Sequence, residues 1–141
     1  MSQTTRITAL GLGLAASALA LTGCSAESDA ATEAAQKFVA GTFREQCEMT
    51  HPVRGGAARD CENRADEPVW PGHPTEVTAT TEWKGNGYAV VIPDAKGQRD
   101  VFGMRLDGET WKVAEFDRIE PEDDLTADPA CSALDTTGEG C

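Results

Sequence analysis

The pattern of polar and apolar positions changes period near the middle of the chain. In residues 30–50, AATEAAQKFVAGTFREQCEMT, the positions Ala31, Ala35, Phe38, Val39, Phe43 and Cys47 fall roughly on one stripe at helical spacing. Ser28 or Asp29 suits the N-cap of this helix. Gly41 interrupts the run, where glycine costs about 1 kcal/mol against alanine. A bend or break is expected there, leaving a long helix and a short one. His51-Pro52 stops the second helix, because a residue before proline avoids the helical region. Residues 53–68 read as a turn with a short helix near Ala57–Asn63, and PVWPGHP at 68–74 as a proline-rich connector.

From Thr75 the period drops to two. Val77, Ala79, Thr81 and Trp83 face one way, and Thr78, Thr80 and Glu82 the other. KGNG is a hairpin signal, YAVVIP a strand, and DAKGQ a turn. RDVFGMRL alternates again, with Phe102, Met104 and Leu106 on one face. Asp107-Gly108 is a hairpin turn. In the closing strand, TWKVAEFDRI, Trp111 and Val113 are assigned to one face and Ala114 and Phe116 to the other. Helices first and an antiparallel four-stranded meander second predict an α+β fold, with the helices covering one face of a curved sheet. After Ile119 the chain is rich in acids and poor in large apolar residues, so residues 120–141 read as an acidic C-terminal tail.

Charge narrows the partners. The 141 residues carry 24 acidic and 12 basic side chains, a net charge of −12. Such a surface repels nucleic acid and anionic headgroups, so no nucleic-acid partner is expected.

The first residues read as an export signal. Arg6 stands near the amino terminus, and Ile7 to Leu21 contain no charge. That run is too short to span a bilayer comfortably, which takes about 20 residues. It ends in Leu21-Thr22-Gly23-Cys24, which resembles the lipobox of bacterial lipoproteins. The resemblance implies cleavage before Cys24 and lipid on its sulfur. Residues 1–23 would then be the signal peptide and 24–29 a lipidated tether. The chain would sit at the cell membrane, lipid-anchored on the extracytoplasmic face. Residues 1–23 hold one basic and no acidic side chain, so maturation makes the charge one unit more negative. Attachment would rest on acyl chains, two of which suffice for stable anchoring.

Removing Cys24 from the five cysteines leaves Cys47, Cys61, Cys131 and Cys141, an even number that suits disulfides outside the cell. Three pairings are possible. Nearness in sequence favours Cys47–Cys61 and Cys131–Cys141.

The element order, with AAQKFVAGTFREQCEMTHP at 34–52 and LDGETWKVAEFD at 106–117, resembles the nuclear transport factor 2-like superfamily and its small actinobacterial lipoproteins. The resemblance covers residues 30–119. It implies a cone-shaped, cystatin-like domain whose sheet wraps a helix and often leaves a pocket. Enzymes of that superfamily, isomerases and dehydratases, use an acid or histidine in the cone beside a tyrosine or second acid. Here the one tyrosine is Tyr88, Asp100 and Asp117 sit near strand ends where solvent is expected, and His51 and His73 lie beside prolines. No catalytic constellation carries over, so no enzyme activity is expected. Glu45, Glu48 and His51 are spaced three apart but read as a solvated helix face, and neither metal nor cofactor is expected. The large apolar residues Phe38, Val39, Phe43, Trp70, Tyr88 and Trp111 mark the candidate pocket. The expected role is non-enzymatic binding of a small apolar ligand or an envelope partner. The alternatives are a carboxylate-dependent isomerase or dehydratase, and an accessory subunit of an envelope complex, for which an exposed apolar patch would be the sign.

Overall fold

The computed structural model describes residues 23–54, 60–121 and Leu134. Two helices, α1 (Gly23–Ala40) and α2 (Phe43–Glu48), precede four strands. These are β1 (Ala79–Trp83), β2 (Gly87–Pro93), β3 (Arg99–Asp107) and β4 (Thr110–Ile119). They form one antiparallel sheet in the order β1-β2-β3-β4, the meander that the alternating pattern predicts.

The helical region differs from expectation at both ends. α1 begins at Gly23, so Ser28 and Asp29 lie inside it and do not cap it, and residues 25–29 continue the helix where a tether was expected. No proline or glycine interrupts the chain from Cys24 to Ala40, so nothing stops the helix from extending upstream. The break at Gly41 is present. A Cβ on Gly41 would lie 3.1 Å from the carbonyl oxygen of Lys37 and 3.2 Å from that of Phe38. Thr42 then starts α2 with a capping box: its side chain accepts from the Glu45 amide, and the Glu45 carboxylate accepts from the Thr42 amide. The break resets the helical phase. Phe43, expected on the buried stripe, is therefore 47% exposed. A disulfide joins Cys47 to Cys61 with their α-carbons 5.5 Å apart. Cys131 and Cys141 lie outside the described residues, as do residues 57–59 of the short helix expected near 57–63; residues 60–63 of that stretch are not helical. Residues 61–64 form a turn.

Both faces of the sheet are buried. The inner face packs Tyr88, Val90, Ile92, Phe102, Met104, Trp111 and Val113 against Ala31, Ala35, Phe38 and Val39 of α1. The outer face gathers Trp83, Ala89, Val91, Val101, Ala114 and Ile119 under Leu134. Leu134 is the one described residue beyond Pro121, and it is 2% exposed. The stretch read as a tail thus contributes a side chain to the outer core.

A bulge decides how β4 presents its side chains. Phe102 faces Phe116 and Gly103 faces Glu115, but Met104 faces Val113, so Ala114 is the extra residue. The bulge turns Phe116 to the inner side with Trp111 and Val113, correcting its expected outward position. Ala114 joins the outer cluster. Val77 also departs from its predicted face. It packs on the inner cluster although Trp83 belongs to the outer one, because the regular strand begins only at Ala79.

The open edge of β4 is covered beside this bulge. The Val113 amide donates to Met49 O at 2.9 Å, and the His51 amide donates to Val113 O at 2.8 Å. This pairing satisfies edge groups that would otherwise template association.

Candidate binding site

Three features collect polar or aromatic side chains: a buried ion cluster, two open grooves along the helices, and a smaller cavity at one end of the sheet.

The ion cluster is centred on Asp100, which lies beside Phe102 on β3 and is fully buried. The expectation that Asp100 faces solvent fails because its alternation phase points it inward, towards Arg118 opposite on β4. Arg118 donates to it through Nε at 2.6 Å and Nη2 at 3.2 Å. His73 Nε2 lies 2.8 Å from the same carboxylate. The hydrogen bond to Asp100 is the main reason that the Arg118 guanidinium holds its proton more tightly than usual. His73 Nδ1 sits 2.6 Å from Pro74 O, so both ring nitrogens already face acceptors. Trp70 stacks near the imidazole at 5.7 Å between ring centroids. Trp70 also contacts Phe38, Phe102 and Phe116 at 6.0–6.2 Å. Together these contacts fasten the 70–74 connector over one end of the inner core.

The groove at the α1–α2 junction measures about 480 Å³ and is lined by Lys37, Gly41, Glu45, Glu48 and Met49 among others. Two of its charged groups already serve the helices. Lys37 pairs with Glu33 at 2.7 Å, and that hydrogen bond holds the Glu33 carboxyl below its ordinary range. Glu45 closes the capping box. A second groove of about 310 Å³ runs past Phe38, Phe43, Gln46, Cys47, Thr50 and Arg64. Gln46 there donates to Phe38 O and Thr50 to Gln46 O, again local helix contacts.

The third cavity, of about 270 Å³, is different. It lies between the start of α1, the Gly85–Gly87 turn and the far ends of β3 and β4. Tyr88 and Trp111 line it, their rings edge to face at 5.4 Å and 64°. Leu106, 43% exposed, adds an alkyl wall, and Glu27 and Glu82 add carboxylates. Among the described residues neither glutamate makes an ion pair.

The six residues marked in the sequence are therefore divided. Phe38 and Val39 are core residues, and Trp70 packs over that core. Phe43 lines the second groove. Tyr88 and Trp111 meet at the end cavity. Glu27 and Glu82 were missed, because as isolated surface acids in an acidic chain they carry no signal of their own. His51 is occupied structurally. Its Nδ1 accepts from the Val53 amide at 3.1 Å, and its Nε2 lies 3.2 Å from Leu106 O. Among the described residues no group of three His, Cys, Asp or Glu side chains is arranged to hold a metal ion. Nor is any helix among them long and apolar enough to cross a membrane. No protein-family model, curated protein or solved structure matches this chain.

Proposed function

We propose that the chain is a lipid-anchored, extracytoplasmic binding module of the nuclear transport factor 2-like kind, taking a small ligand at the Tyr88–Trp111 cavity. The apolar start and Leu21-Thr22-Gly23-Cys24 support the anchor. The α+β order, with α1 across an antiparallel meander, supports the fold reading. One observation carries the site: two adjoining aromatic rings, 8% exposed each, line a cavity whose carboxylates have no ion-pair partner among the described residues. Elsewhere the space between α1 and the sheet is packed with side chains. Two experiments test the reading. Cys24→Ser should move the protein from the membrane to the soluble fraction, and unchanged retention of a lipid-free form would overturn the anchor. Trp111→Leu should abolish saturable small-ligand binding by the full chain while leaving it folded, and unchanged binding would overturn the site.

A second reading, general-base chemistry through His73 and Asp100, has their 2.8 Å contact in its favour. A base needs a free lone pair facing substrate. His73 has both nitrogens engaged, and Asp100 receives Arg118 as well. The pair fits a structural clamp better than a catalytic one.

A further inference from the structure

The cavity at Tyr88 and Trp111 has a definite electrostatic character. Resting on the reading of this cavity as the ligand site, we propose that its ligand is a small organic ammonium ion, a quaternary or protonated amine with a compact alkyl body.

Aromatic faces attract cations through their quadrupole, most strongly where solvent is displaced. Tyr88 and Trp111 stand at 64° to each other, so they supply two walls of a partial cage. The carboxyl-bearing side chains of the lining are Glu27 and Glu82, and among the described residues no lysine or arginine lines it. The bases that neighbour these residues in sequence are all turned elsewhere. Lys84 lies 4.9 Å over the Trp83 ring and reaches Glu115. Arg105 lies 5.0 Å over the same ring. Lys112 pairs with Asp107 at 2.8 Å. An anion would meet two carboxylates and, among the described residues, no counter-charge. A neutral apolar ligand would desolvate those carboxylates with no return. The volume of about 270 Å³ falls just below the usual range for drug-sized ligands, about 300–1,000 Å³. Leu106 offers an alkyl surface for the ligand body.

The test uses the full chain in mild detergent, titrated calorimetrically and by tryptophan fluorescence. The probes are tetramethylammonium, choline and benzyltrimethylammonium, each beside its neutral carbon isostere (for choline, 3,3-dimethylbutan-1-ol). At least one ammonium should bind saturably and about tenfold more tightly than its isostere, with affinity falling as salt rises. Glu27→Gln and Glu82→Gln, both exposed positions, should weaken ammonium binding several-fold and leave the isostere unchanged. Equal affinity for a cation and its isostere, or no effect of both substitutions together, would overturn the ammonium assignment and leave the cavity as a binding site. No saturable binding of any probe to the folded chain would overturn the assignment and the cavity together.

Discussion

His73 and Asp100, 27 residues apart in sequence, meet at 2.8 Å on the inner face of the sheet, where the Asp100 carboxylate is fully enclosed. Arg118 completes the cluster from β4 with its side chain 38% exposed. Taking one partner from a buried pair typically costs about 3–5 kcal/mol. Because Arg118 can regain water, Asp100→Asn should fall near the lower end, about 3 kcal/mol. His73→Ala should cost less, about 1–3 kcal/mol, through the donor it removes. Urea denaturation followed by circular dichroism reads both. A near-neutral Asp100→Asn would mean that the cluster does not fasten the connector.

Gly103 lies beneath the Trp83 indole. A Cβ at residue 103 would sit 2.7 Å from two carbons of that ring and 3.1 Å from Leu134 Cδ1. Gly103→Ala should therefore destabilise the domain by about 1–3 kcal/mol, the usual range for overpacking. Thermal unfolding should show this as a melting temperature lower by several degrees. A variant as stable as the parent would show that Trp83 can move aside freely.

Leu134 tests the role of the C-terminal stretch. Its side chain is buried against the outer cluster, so Leu134→Ala should lose about 2–5 kcal/mol. Leu106→Ala, at a position 43% exposed, should change stability by less than about 0.5 kcal/mol. Ending the chain after Ile119 should weaken the fold at least as much as Leu134→Ala does. An unaffected truncation would make residues 120–141 dispensable to the domain.

The Cys47–Cys61 bridge closes a loop with a sequence separation of 14. In the chain-entropy model this is worth about 3 kcal/mol. Cys47→Ser should lower stability by that order under oxidising conditions, and reduction of the parent should reproduce the loss. Equal melting temperatures for parent and variant would remove the bridge from the account of stability.

Asp107 and Lys112 close the β3–β4 hairpin at 2.8 Å. The Lys112 hydrogen bond holds the Asp107 carboxyl below its ordinary range. A depressed carboxyl stabilises the folded state above the ordinary aspartate value, about 3.9, and loses that contribution as pH falls through its folded value. Carboxyl NMR titration should place Asp107 below most aspartates, and Lys112→Met should move it back up. The same titration midpoint in both proteins would leave the pair without thermodynamic weight.

Local chemistry made much of the architecture legible. The period of 3.6 before Gly41 and the period of two after Thr75 separate helices from strands. Asp107-Gly108 and the glycines of the other turns place the hairpins, because few residues other than glycine adopt a positive φ there at little cost. The Cys47–Cys61 pairing followed from nearness in sequence and is present. Tyr88 and Trp111 were identifiable as large apolar residues on two strands of the sheet. Their meeting with Glu27 and Glu82 was not, since two surface acids 55 positions apart share no period and no spacing.

The sequence by itself determined the type and order of the main elements and the positions of the hairpin turns, all set by interactions among residues a few positions apart. Tertiary structure alone decided the rest. The bulge at Ala114 moved Phe116 to the inner face, and a one-residue slip of this kind reverses every later side chain in the strand. Asp100 could stay on the inner face that its alternation phase gives it because Arg118 and His73 receive it there, and burying a carboxylate is tolerable only with such partners. Leu134 found the outer face because a sheet buried on both sides needs a second cover, and no local pattern in an acidic stretch announces where that cover will land.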